Sequence, residues 1–162
     1  MIRELAAGMV LVLSPACSLL LDFSDTAIPK DASIDGPFTQ AECDYKEPND
    51  AVATAAPIAL TETGPAAICP ATPDDHDFYR ISIGATALTI TMTYPNRTSG
   101  DLDLKLYDMM GNVVGSSRDL TGTERITCPS ANCPALPAGT YIFEVLPSLP
   151  GSVNSYTFAI QN

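Results

Sequence analysis

Apolar and polar positions alternate with a period of two along much of the chain. Leu88, Ile90, Met92 and Tyr94 are separated by Thr89, Thr91 and Thr93, and Leu102, Leu104 and Leu106 by Asp103 and Lys105. Tyr79, Ile81 and Ile83 repeat the pattern, as do Tyr141, Phe143 and Val145, and then Tyr156, Phe158 and Ile160. Side chains of an extended chain point to opposite faces in turn, so each run predicts a strand that buries one face and wets the other. Shorter runs at Ala56–Leu60, Ala66–Cys69, Val113–Ser117 and Glu124–Cys128 predict weaker strands. Between the runs stand Tyr94-Pro95-Asn96 with Ser99-Gly100, Met110-Gly111-Asn112 and Pro137-Ala138-Gly139, which supply fixed or positive φ where the chain must reverse. About eight or nine short strands at this spacing predict an all-β domain, two antiparallel sheets packed as a sandwich.

The alternation is absent before residue 43. From Leu19 to about Ala41 the chain scatters Asp, Ser, Pro and Gly with no period, which predicts a flexible tether over residues 18–42 ahead of a domain over 43–162. Residues 1–17 hold Arg3 and Glu4, an apolar stretch from Leu5 to Leu13, and then Ser14-Pro15-Ala16-Cys17, the layout of a secretory signal. Its end resembles the signal of bacterial lipoproteins in the small Ala16 directly before Cys17 and departs from it at Ser14 and Pro15. This predicts lipid attachment at Cys17 and an exported protein anchored to a bacterial membrane. Two alternatives stay open: Ser14-x-Ala16 serving ordinary signal peptidase and releasing a secreted protein, or Leu5–Leu21 remaining as an uncleaved anchor at the short limit of a membrane span.

At 162 residues the chain has room for one domain besides leader and tether, and 46% hydrophobic residues with six Tyr and five Phe is a globular composition. Eight Lys plus Arg against 19 Asp plus Glu leave a net charge of -11, which repels phosphate backbones and anionic headgroups. Nucleic acid is excluded as a partner, and contact with a membrane is expected only through the N-terminal lipid. With Cys17 set aside, Cys43, Cys69, Cys128 and Cys133 make two disulfides with three connectivities open. Proximity favours Cys128 with Cys133, leaving Cys43 with Cys69, and loop closure makes these worth about 2 and about 3.5 kcal/mol. A four-thiolate metal site is disfavoured, since there is no C-x-x-C pair and only one His. That residue, His76, is read as a surface turn residue flanked by acids. Neither a G-x-S-x-G elbow nor an H-E-x-x-H motif is present, so no enzyme is expected.

Four motifs in order carry a family resemblance. They are Glu47-Pro48-Asn49-Asp50 before an Ala-rich stretch, Asp74-Asp75-His76-Asp77-Phe78-Tyr79-Arg80-Ile81, Gly100-Asp101-Leu102-Asp103-Leu104-Lys105-Leu106-Tyr107-Asp108 leading to Gly111-Asn112, and Leu136-Pro137-Ala138-Gly139-Thr140-Tyr141. From about residue 43 to 161 the chain resembles the bacterial pre-peptidase C-terminal domain, whose relatives include the collagen-binding modules of clostridial collagenases. The resemblance implies a jelly-roll-like sandwich without catalytic activity, serving secretion or the binding of polymeric substrate. It also implies Ca²⁺ held by Glu47, Asn49, Asp50, Asp74 and Asp77, with Tyr45 standing where the relatives carry a further acidic ligand. Such an ion needs roughly 6 to 8 oxygen ligands. The leader and tether expected before the domain stand where the relatives carry their protease.

Two further groups are singled out. Asp101 and Asp103 share one strand face and are expected to be solvated. Phe78 and Tyr107 fall on the polar phase of their strands and are candidate exposed rings for stacking on a ligand. The expected function is a non-catalytic exported lipoprotein module that binds an extracellular polymer or a protein partner. The alternatives are a secretion or assembly adaptor with no ligand of its own and, third, a hydrolase.

Overall fold

The computed structural model describes residues 38–71, 74–84, 87–95 and 100–162. Nine strands follow one another: β1 (Ala56–Pro57), β2 (Ala66–Ile68), β3 (Asp77–Ile83), β4 (Leu88–Thr93), β5 (Leu102–Tyr107), β6 (Val113–Ser117), β7 (Thr123–Cys128), β8 (Gly139–Pro147) and β9 (Asn154–Gln161). They form a five-stranded sheet in the order β1-β3-β8-β5-β6 and a four-stranded sheet in the order β2-β9-β4-β7. All neighbours are antiparallel except β1 and β3, where Ala56 pairs with Tyr79 in parallel register. β1 is shorter than the run from Ala56 to Leu60 suggested. Pro57 lacks an N–H, which confines it to a sheet edge, where β1 lies.

The apolar phase of each alternating run faces the other sheet. Tyr79, Ile81, Leu104, Leu106, Phe143 and Val145 from the larger sheet meet Leu88, Ile90, Met92, Tyr156 and Phe158 from the smaller, all buried in one core. At its centre the ring of Tyr79 lies 5.1 Å from Phe143 and 5.3 Å from Phe158. Gly115 of β6 admits β7 and the loop beyond it: a Cβ there would stand 2.8 Å from Ile126 Cγ2 and 3.3 Å from Cys133 Sγ. Disulfides join Cys43 to Cys69 and Cys128 to Cys133, the pairing that proximity favoured.

The expectation of one wet face per strand needs correction at β8. Tyr141 through Leu146 are all buried, because β8 lies inside its sheet and its outer side chains are covered by neighbours from β3 and β5. The last residues of the expected tether are also structured. Phe38 is 5% exposed, and Thr39 caps a short helix α1 (Gln40–Cys43) through a reciprocal bond with Glu42. Cys17, the rest of the leader and tether, and residues 96–99 of the β4–β5 turn lie outside the described residues.

Candidate metal centre

β3 opens with Asp77, and Asp77 stands in the same phase as the core residues Tyr79 and Ile81. Its carboxylate is therefore carried to the rim of the core instead of into solvent, and the residue is 1% exposed. Counting back two positions along the extended chain reaches Asp75, which is 7% exposed. Alongside runs the segment from Glu47 to Asp50, fixed by the Phe78 N–H donating to the Asn49 carbonyl at 3.0 Å. The Cys43–Cys69 bridge, with Cα atoms 5.8 Å apart, fastens the chain just before that segment to the end of β2.

Glu47, Asp75 and Asp77 each bring a carboxylate oxygen to within 4.8 Å of the others. The fully buried Asn49 completes the group. With its nitrogen turned inward the Asn49 amide donates to both Glu47 oxygens at 3.0 Å and to Asp77 Oδ1 at 3.1 Å. Rotated half a turn, the same position is held by an oxygen, which stands beside the Glu47 and Asp77 carboxylates as a further donor. Asp50, exposed, lies within hydrogen-bonding reach of Asp75.

The cluster's electrostatics are those of crowded anions. Burial pushes Asp75 up to about 6, with the charges of Glu47 and Asp50 adding to it against a Cys69 N–H that donates to Oδ2 at 2.7 Å. Burial likewise raises Asp77 well above the usual carboxylate range, with Asp75 and Glu47 adding to it. Glu47 is raised by burial first, then by Asp50. Among the described residues no Lys or Arg pairs with any of the three; Lys46, next in sequence, turns to Glu62 at 2.6 Å. On the core side Asp77 accepts the Tyr156 hydroxyl, itself 2.7 Å from the hydroxyl of Tyr79. Three carboxylates with no Lys or Arg partner among the described residues, beside a buried amide, are a set of oxygen donors that could hold a metal ion.

Of the residues nominated from sequence, Glu47, Asn49 and Asp77 are brought together and Asp50 stands beside them, but Asp74 is not among them. Its Oδ1 accepts the Gly151 N–H at 3.2 Å, and Asp75 takes its place, because strand alternation puts Asp75 and not Asp74 on the side of Asp77. Tyr45 donates its hydroxyl to Glu62 at 2.7 Å and adds nothing to the set.

The other candidates are corrected. Asp103 is buried with Oδ2 3.6 Å from Arg118, and Asp101 accepts the Tyr94 hydroxyl, so the pair does not form a solvated face. Phe78 is only 8% exposed and stacks on His76, and Tyr107 gives its hydroxyl to Glu144 at 2.5 Å, so neither presents an open ring. Glu144 itself escaped notice in the sequence, where it reads as a wet strand position. It is 3% exposed and holds His76 Nδ1 at 2.7 Å and Lys105 at 3.5 Å besides Tyr107. His76 is thus a buttress of the outer face of the larger sheet.

No protein-family model matches the chain, and no curated protein does. Solved structures do. The pre-peptidase C-terminal domain of a collagenase from Bacillus anthracis superposes with a TM-score of 0.52 at 15% identity, over 66% of this chain and 94% of that one. PliG of Aeromonas hydrophila, a periplasmic inhibitor of g-type lysozyme, gives 0.40 at 13% identity over 65% and 92%. FlgD of P. aeruginosa gives 0.35 at 17% identity over 65% and 78%. The domain described here has the fold of a pre-peptidase C-terminal domain.

Proposed function

We propose that this chain is a non-catalytic exported module, lipid-anchored through Cys17, that binds an extracellular polymer or protein partner and is stiffened by calcium at Glu47, Asn49, Asp75 and Asp77. The observation that carries the reading is the uncompensated group of oxygen donors at the N-terminal edge of a disulfide-pinned sandwich. Calcium, when bound, supplies two positive charges to three crowded carboxylates and chelates segments distant in sequence. The chain's own part is to hold those oxygens in place: Asp77 by the inward phase of β3, Asp75 by the Cys69 N–H, and Glu47 by the Asn49 N–H at 2.8 Å. His76 is turned to Glu144, and among the described residues no hydroxyl or thiol nucleophile bonds to its ring.

Thermal melting of the full chain in calcium and in chelator tests the metal. A ligand at a hundred times its Kd adds about 2.7 kcal/mol, which for a domain of this size is a rise of roughly 5–15 °C. Asp77→Asn and Glu47→Gln should each cut that rise. No difference between calcium and chelator would remove the ion from the reading. Co-sedimentation with collagen, chitin, cellulose and peptidoglycan tests the binding role; retention on none of them would move the function to a secretion or assembly adaptor.

A further inference from the structure

The outer face of the smaller sheet is built almost without charge. β4 gives it Thr89, Thr91 and Thr93, β9 gives Thr157, Ala159 and Gln161, and β7 gives Thr123, Arg125 and Thr127, the residues between them being buried. Of these positions only Arg125 is charged, in a chain with 19 Asp and Glu. Thr93 stands opposite Thr157 and Thr91 opposite Ala159, which sets their Cβ atoms about 4.5–5.5 Å apart. Two cavities open on this face, of about 360 and about 290 Å³. They share Thr93 and Thr157 and so form one groove along β9. Thr91 and Thr93 flank it on one side, and on the other Thr63 and Pro65, where the chain runs beside β9 before entering β2. From Ser155 to Ala159 its floor is roughly 13 Å long, more than one sugar ring.

What the groove lacks selects its occupant. The backbone of β9 is spent, paired with β4 on one side and β2 on the other, with the Phe158 N–H donating to the Thr63 carbonyl at 3.0 Å. An extended peptide, which joins a sheet through backbone hydrogen bonds, finds none to share. Among the described residues no Lys, Arg or His lines the groove, so an anionic polymer finds no counter-charge and meets the net charge of -11. Glu42, at one end, accepts the N–H and hydroxyl of Thr39. What remains are threonine hydroxyls, each both donor and acceptor, set among methyl groups and the ring of Pro65. A pyranose chain has the same make-up, hydroxyls at its edges and C–H groups on its faces. We infer that this groove receives a neutral polysaccharide chain, lying along β9 between Thr91 and Thr93 on one side and Thr63 and Pro65 on the other. The inference rests on the binding-module reading and deepens it by naming the class of polymer and the face that meets it.

The test uses the full chain in a polyoxyethylene detergent with two soluble neutral hexasaccharides, cellohexaose and N-acetylated chitohexaose, and with hexagalacturonate as their charged counterpart. The readout is the backbone amide shifts of Thr91, Thr93, Thr157 and Ala159. At least one neutral hexasaccharide should produce saturable shifts at millimolar concentration, and hexagalacturonate none. Thr93→Val combined with Thr157→Val keeps shape and strand propensity and removes two hydroxyls. It should weaken binding about tenfold at an unchanged melting temperature, and Ala159→Arg should block it. No shifts from either neutral hexasaccharide, equal shifts from hexagalacturonate, or an unaltered affinity in the valine pair would each overturn the inference. The binding role itself is read separately, by co-sedimentation. If Ala159→Arg is retained on an insoluble polymer as well as the wild type is, the polymer binds elsewhere and the groove alone fails; a wild type that neither sediments with any polymer nor shifts with any hexasaccharide loses the binding role and the groove together.

Discussion

A carboxylic acid withdrawn from water beside two others keeps its proton to higher pH, and Asp75 is in that position. In the folded protein it titrates at about 6, whereas in the unfolded chain it returns to the ordinary carboxylate range. Across that window the native state holds more protons than the unfolded one, so stability is fully present at low pH and is lost as pH rises. In chelator the melting temperature should therefore fall between about pH 4 and pH 6. Asp75→Asn should flatten that fall and stabilise the metal-free protein at pH 7 by on the order of 1 kcal/mol. Saturating calcium should flatten it in the wild type, and a melting temperature that climbs over the same interval in chelator would show that the carboxylates ionise at no cost. Glu144 gives the opposite prediction: Glu144→Leu strands Tyr107, His76 and Lys105 and should cost about 2–4 kcal/mol in a denaturant titration, with Glu144→Gln costing less. The sequence showed which residue types could hold a cation and named Asp74, whereas the carboxylate that stands beside Glu47 and Asp77 is that of Asp75, which counting by twos from Asp77 would have found. Glu144 left no such trace. A buried carboxylate in the polar phase of a strand looks like a wet one until its donors on neighbouring strands are known.

At the scale of elements, the strands were legible and their partners were not. The period of two marks where β3, β4, β5 and β9 run, because the apolar phase of each is buried in the core between the sheets. It misled for β8, whose outer face is covered, and it could not show that β1 would join β3 in parallel. The Cys43–Cys69 bridge supplies what alternation cannot, a fixed relation between β2 and the segment that carries Glu47 and Asn49. Replacing both cysteines by Ser should cost up to about 3.5 kcal/mol by loop-closure entropy. It should also weaken calcium binding, read by isothermal titration, because the donors would then be brought together at the expense of binding energy. The Cys128–Cys133 pair closes a loop of only a few residues near β6 and β7, away from the oxygens. Its removal should lower the melting temperature and leave calcium affinity unchanged. A bridge mutant at 43 and 69 with wild-type affinity would mean that hydrogen bonds such as Phe78 to Asn49 suffice to hold the site.

For the whole molecule the decisive quantity is its charge of -11. The anionic surface of a bacterial membrane repels such a chain, so electrostatics cannot hold it there. Among the described residues no helix is long and apolar enough to cross a bilayer. In the proposed reading, attachment is therefore entirely the work of the lipid on Cys17, since each methylene buried in the membrane contributes about 0.8 kcal/mol whatever the charge of the domain. This separates the anchor from its rivals by a salt wash and one substitution. The wild-type protein should remain in the membrane fraction through 1 M salt, which screens surface charges within about 3 Å. Cys17→Ala should move it quantitatively to the soluble fraction, with no salt-dependent remainder. If Cys17→Ala stays membrane-bound in high salt, the apolar residues from Leu5 to Leu21 are acting as an uncleaved span and no lipid is needed. If the wild type is itself soluble, cleavage after Ala16 has released the domain, and its partner must be sought in solution instead of at a surface.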